Sequence, residues 1–169
     1  MKKLILLLLI SNLSFAQQWS KTEINNLLTV DFPNTPKEKK GVNKTHYYSS
    51  YEENTYEITV RDSNQFNLPE SPSKSELTEL YKTYSNGYVN GLKGTIIKQK
   101  KILINDLIGN ETIFIRVTHD KTKILTFRRT FLLKDKLVSY QFSTNKKNEK
   151  EEHIEKLKNI FLNSLNINS

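Results

Sequence analysis

Between residues 95 and 142 apolar and polar side chains alternate in four runs separated by short polar breaks. Ile113, Ile115 and Val117 alternate with Thr112, Phe114 and Arg116. Leu125, Phe127, Arg129, Phe131 and Leu133 share one parity, and Val138, Tyr140 and Phe142 alternate with Ser139 and Gln141. A period of two puts each set on one face of a strand. The breaks at Asn105-Asp106, 118–121 and Lys134-Asp135-Lys136 are long enough only for hairpins. The run therefore predicts a four-stranded antiparallel meander, which must bury at least one face. Gly109, inside the second strand, predicts a bulge.

The flanking segments supply the cover. Leu27–Phe32 reads as a first strand, stopped by Pro33 and Pro36, which cannot donate to a ladder. Residues 36–45 are polar and lysine-rich and read as a loop. Thr45–Tyr51, a turn at Glu52-Glu53-Asn54, and the alternation of Tyr56, Ile58 and Val60 predict a hairpin. After a loop with Pro69 and Pro72, Ser73 and Glu76 fit a capping box. Leu77, Leu80, Tyr81, Tyr84 and Tyr88 then line one stripe of a helix, which Asn90-Gly91 and Gly94 should end in a left-handed turn. Asn148 with Glu151 suggests a second N-cap, and Ile154, Leu157, Phe161 and Leu165 a second amphipathic helix. The expected class is α+β: a central antiparallel sheet of about six to seven strands flanked by two or three helices, an α/β/α sandwich.

The chain begins Met1-Lys2-Lys3, continues with the apolar stretch Leu4–Ile10, and carries Ser14 and Ala16 at small-residue positions. This predicts a secretory signal peptide over residues 1–16, cut after Ala16. A membrane-spanning helix needs about 20 apolar residues, and Ser11 and Asn12 interrupt this run. Residues 17–169 then form one domain, expected in a periplasm or outside the cell, with no membrane span. No cysteine is present, so disulfides, thiol chemistry and a cysteine-linked lipid anchor are excluded. Lys and Arg number 26 against 18 Asp and Glu, and Arg61, Arg116, Arg128 and Arg129 are the arginines. Scattered lysine pairs predict a solvated basic surface rather than a nucleic-acid site, which favours arginine forks. An acidic partner remains an alternative.

Three stretches carry a family resemblance. Val30-Asp31-Phe32-Pro33-Asn34-Thr35-Pro36 resembles the V-x-F-P-x-x-P opening of PsbP-like domains. Ile104–Glu111 is similar to their mid-chain turn and following strand, and Phe161-Leu162-Asn163-Ser164-Leu165 to their closing F-L-x-S-F. The last of these departs in ending on leucine rather than an aromatic. The resemblance implies an α/β/α sandwich with an antiparallel sheet. It also implies proteins that mostly bind other proteins: an extrinsic photosystem II subunit, a small regulator of a GTPase, and exported bacterial proteins. It implies no shared catalytic residue.

The remaining chemistry is sparse. His46, His119 and His153 lack ligand spacing, and there is no G-x-S-x-G elbow and no glycine-rich phosphate loop. Catalytic residues, metal and cofactor are each expected to be none. The tyrosine stripe, Tyr81, Tyr84 and Tyr88, reads as packing with its hydroxyls at a rim, or else as a ligand-stacking row. Arg129 shares a face with four apolar residues and, if buried, needs an acidic or carbonyl partner; an anion-binding role is the alternative. These four residues are the candidate ligand or partner surface. The expected function is an exported, non-catalytic binding or accessory protein of the cell envelope engaging a protein partner. A carrier of a small or anionic ligand is the second reading, and a hydrolase with an unrecognised site the third.

Overall fold

The computed structural model describes residues 19–168. The expected signal peptide, 1–16, lies outside the described residues. The chain runs through β1 (Ser20–Ile24), β2 (Leu28–Phe32), β3 (Lys37–Lys40), β4 (Lys44–Tyr51) and β5 (Asn54–Asp62). A 3-10 turn, Ser63–Phe66, leads to helix α1 (Lys74–Gly91). The meander follows as β6 (Thr95–Ile104), β7 (Leu107–Val117), β8 (Lys123–Leu133) and β9 (Lys136–Asn145). Helix α2 (Glu152–Asn163) and a short β10 (Asn166–Ile167) close the chain.

Seven strands form one antiparallel sheet in the order β3-β4-β5-β9-β8-β7-β6. The hairpins are tight because their turns reach the left-handed region. Glu52 and Glu53 (φ 48° and 61°), and Asn105 and Asp106 (φ 45° and 66°), are the central pairs of two-residue turns. Such turns match the right-handed twist of the strands they join. The fold is therefore α+β with a central antiparallel sheet, as the alternation predicts.

Several local expectations are corrected. β2 does not join the central sheet: it lies between β1 and β10 in a separate three-stranded sheet. Its inward residues Leu28, Val30 and Phe32 are fully buried and pack toward α2, with Phe32 edge-on to Phe161 at 5.4 Å. The stretch expected as a loop contains β3, all four of whose residues are exposed, so no apolar period marked it. The bulge is not at Gly109 but in β6, between Ile96 and Lys98. Gly109 is needed for a close approach: a Cβ there would meet Thr130 O at 3.0 Å and Ile104 Cδ1 at 2.9 Å. Lys93 (φ 53°), not a glycine, takes the left-handed conformation after α1. Gly94 lets the chain pass Ile115 O, which a Cβ would meet at 3.1 Å. Asn148 does not cap α2. Asn145 caps the preceding 3-10 turn, and α2 starts from Glu151 with Glu152 and Glu155 in its first turn, where carboxylates suit the helix dipole.

The two helices cover opposite faces. α2 packs on the face of Tyr56, Ile58, Val138, Tyr140 and Phe142, through Ile154, Leu157, Phe161 and Leu162. Phe161 meets Tyr56 at 5.3 Å and Tyr140 at 6.3 Å, both edge-on. Each such ring removed from water contributes about 1.5–3 kcal/mol. α1 crosses the other face over β6–β8 and is held at its start by the expected capping box: Glu76 N–H donates to Ser73 Oγ, and Ser73 N–H to Glu76 Oε2 (3.2 and 2.7 Å).

Candidate functional site

The face under α1 is polar apart from Phe114, which packs against Tyr88. A single cross-strand row runs through directly paired residues: Tyr48 on β4, Glu57 on β5, Gln141 on β9, Arg128 on β8, Thr112 on β7 and Gln99 on β6. Hydroxyl pairs flank it, Thr126 with Ser143 at 2.9 Å and Thr130 with Ser139 at 3.0 Å. Residues 137–144 of β9 are all buried, so the polar parity there does not face solvent.

Arg128 is the centre of this row and only 2% exposed. Its Nη1 donates to Gln141 Oε1 (2.6 Å) and its Nη2 to the Tyr84 hydroxyl (3.4 Å). The guanidinium lies 3.9 Å from the centre of the Tyr88 ring, a cation–π contact strengthened by desolvation. Its Nε is buried without a hydrogen-bond partner, as is that of Arg61 on β5. On the β4 side His46 Nε2 meets Glu57 Oε2 at 3.1 Å, and the His46 ring stacks on Tyr48. Burial works to raise the Glu57 carboxyl, but the hydrogen bond and charge of His46, with Gln141 and Arg128, hold it below the ordinary carboxylate range.

α1 covers the β6–β8 half of this face and leaves the β4–β5 half open. Three adjoining pockets follow β4 there. The first, about 260 Å³, lies among Asn34, Lys37 and Ser50. The second, about 290 Å³, is lined by Lys39, His46, Tyr48, Thr55 and Glu57. The third, about 240 Å³, is lined by Lys40, Lys44, Thr59, Arg61 and Tyr88 beside His46 and Glu57. Shared walls make them one groove. It follows β4 from Ser50 to Lys44, about 20 Å at the usual rise of an extended strand. Glu57 is the one carboxylate among these lining residues, and it is already engaged by His46.

The four sequence candidates separate. Tyr81 is buried and its hydroxyl accepts from Leu132 N–H (2.9 Å), anchoring α1 to β8. Tyr84 and Tyr88 sandwich the edge of Arg128, and Tyr88 also forms a wall of the groove. Arg129 points to the opposite face. There its Nε donates to Glu111 Oε2 (2.9 Å) and its Nη1 to the Leu162 carbonyl at the end of α2 (2.7 Å), the acidic and carbonyl partners its burial requires. Sequence reasoning missed Arg128, His46, Glu57 and Gln141. A signal existed: the polar parity of β8 and β9 is Thr126, Arg128, Thr130 and Ser139, Gln141, Ser143, whereas the exposed strand β3 is Lys-Glu-Lys-Lys and the exposed polar positions of β6 include Lys98, Lys100 and Lys101. Among the described residues no group of three metal-ligating side chains occurs.

The fold is that of PsbP-like domains. The chain superposes on the cyanobacterial PsbP of Synechocystis sp. PCC 6803 with a TM-score of 0.63 at 8% identity, covering 90% of this chain and 94% of that one. A Bacteroides thetaiotaomicron crystal structure matches with a TM-score of 0.51 at 12% identity over 90% of this chain, which spans 49% of that one. No family model matches the sequence. No curated protein matches it either. At such identities the likeness is one of fold alone. Among the described residues no helix is long and apolar enough to cross a membrane.

Proposed function

We propose that the chain is an exported, non-catalytic binding or accessory protein of the cell envelope, and that the groove along β4 is its working surface. The observation that carries this is the charge of the groove. Lys37, Lys39, Lys44 and Arg61 converge on it, while its one carboxylate is held by His46. Cations gathered around a concave face concentrate anionic partners and speed their encounter. Beside the groove Arg128 is fixed by Tyr84 and Gln141 and stacks on Tyr88, so the Tyr88 wall of the groove is held in place before any partner arrives. A partner carrying negative charge is the reading this supports. A carrier of a small anion is the second, favoured by the unpartnered Nε of Arg61 at the groove wall.

Site-specific photo-crosslinking from Tyr48 in intact producing cells tests the proposal. One discrete cross-linked protein is expected, lost when Lys39 and Arg61 are both changed to Glu and retained when Lys146 and Lys147 are. Cross-linking that is absent, or indifferent to the groove charges, overturns it. A bound anion of a few hundred daltons in native mass spectrometry, with no protein partner, would favour the carrier instead.

A further inference from the structure

The groove is bordered by a free sheet edge. β3 is the outermost strand, and no described strand lies beyond it. Gly41 N–H donates to Lys44 O (2.7 Å), which makes Gly41 and Lys44 a hydrogen-bonded pair. In an antiparallel ladder such pairs alternate with open ones. Lys39 and Lys37 therefore turn their backbone groups inward to His46 and Tyr48, and Glu38 and Lys40 turn theirs outward. The side chains divide in the same way. Lys37 and Lys39 lie on the groove face, opposite Tyr48 and His46, while Glu38 turns to the other face and accepts from the Tyr47 hydroxyl.

Resting on the function proposed above, we propose that an extended acidic segment of a partner protein is added as an eighth strand along the free edge of β3, with its acidic side chains beside Lys37 and Lys39 at the border of the groove. Main-chain hydrogen bonds to Glu38 and Lys40 supply part of the affinity, as in other strand additions. Side chains of the added strand alternate. Those on the groove face stand beside Lys37 and Lys39, so carboxylates two residues apart are matched there. The residue between them stands beside Glu38 and is selected against acid, since like charges opposite one another are destabilising. The segment this edge prefers is thus acid–neutral–acid.

The other free edge of the sheet does not fit this role. β6 carries a bulge at Ile97, a feature that twists an edge away from pairing. Lysines on a short edge strand also guard against unwanted association. That protective role needs no groove beside them, and no hydroxyl-lined wall of Ser50, Thr55 and Thr59 along β4 and β5.

The test uses the full chain and a fluorescent eight-residue peptide alternating Val and Asp, followed by anisotropy and by backbone hydrogen exchange. Binding is expected to weaken at least tenfold for Lys39→Glu, an exposed change whose fold is checked by its melting curve. It should weaken similarly for a peptide N-methylated along one edge, and the Glu38 and Lys40 amides should exchange more slowly when the peptide is bound. Equal binding of the N-methylated peptide, or unprotected amides, overturns strand addition while leaving the groove as an acid-binding surface. Binding that ignores Lys39→Glu, or no binding by this peptide or by polyglutamate, overturns both. Tighter, Lys39-dependent binding of an acidic oligosaccharide such as oligogalacturonate overturns the protein partner and keeps the anionic groove.

Discussion

The two faces of the central sheet are both buried at β8 and β9, yet they are chemically opposite. Under α2 lie mostly rings and branched chains; under α1 lie an arginine, a glutamine and two hydroxyl pairs, with Phe114 against Tyr88 the apolar exception. Apolar contact is non-directional and gains with each area removed from water. Buried polar groups gain little over water but cost heavily when left unpaired. The first face should therefore carry most of the stability. The second should fix geometry: it holds Arg128 in one place and orients the wall of the groove.

The largest effect should come from the apolar face. Phe161→Ala removes a fully buried ring that touches Phe32, Tyr56 and Tyr140, and should cost about 3–5 kcal/mol in urea unfolding, since a cavity adds to the lost transfer energy. A cost under about 1 kcal/mol would mean that α2 is not the principal cover of this face.

An ionic cluster on that same face comes next. Arg129 and Lys100 both pair with Glu111, whose side chain is 8% exposed. Arg129→Leu leaves a buried carboxylate with a single half-exposed partner and leaves the Leu162 carbonyl only the longer bond from the Tyr140 hydroxyl (3.4 Å), at a cost of about 2–3 kcal/mol. Peptide binding at the groove should stay unchanged, because Arg129 lies on the other face. Weakened binding with unaltered melting would restore Arg129 as part of the anion site. Acid titration sharpens the same point. Burial pushes the Glu111 carboxyl up, but the hydrogen bonds and charges of Arg129 and Lys100 outweigh it and hold the group below its ordinary range. A carboxyl depressed in the folded state stabilises fully above its unfolded pKa, about 4.3, and that stability is lost as pH falls through the folded value. Glu111→Gln should flatten the acid limb of stability against pH below about 4.3 and leave the neutral region lower and level. An unchanged limb would assign acid sensitivity to Glu57 instead, whose carboxyl is also held low.

How much of this was legible follows from what each face asks of a sequence. The apolar parity of β5 and β7–β9 set strand boundaries at β6 and β7 to the residue, and the stripe and capping box placed α1. Those signals are local, because periodicity and caps act within a turn or a strand. Alternation required one buried face and did not say what lies over the polar parity of β8 and β9. A polar parity buried under a helix looks like one in water until the helix is placed, and helix placement is long-range. β3 was invisible for the converse reason: Lys37–Lys40 bury nothing, and only backbone pairing with β4 makes them a strand. The groove needs both missed facts, since one wall is the polar face of β4–β5 and its border is β3. The tyrosines were found because aromatic spacing on a helix is local; that Tyr88 stacks on Arg128 rather than a ligand depends on β8 arriving beneath it.

The smallest predicted effect is the most discriminating for the comparison of faces. Thr126 and Ser143 share one hydroxyl bond on the polar face, and both are buried. Ser143→Ala alone orphans the Thr126 hydroxyl and should cost about 1–2 kcal/mol. Adding Thr126→Val replaces the second partner with an apolar group of the same shape, so the double variant should recover most of that loss and end within about 0.5 kcal/mol of the parent. The recovery is a coupling between contacting residues, measured by a double-mutant cycle in urea. Additive losses would mean that the hydroxyls bear stability in their own right, and the division of labour between the faces would fail. Recovery with unchanged peptide binding would place the specificity of this face in Arg128 and its ring contacts, and leave the hydroxyl pairs as packing that happens to be polar.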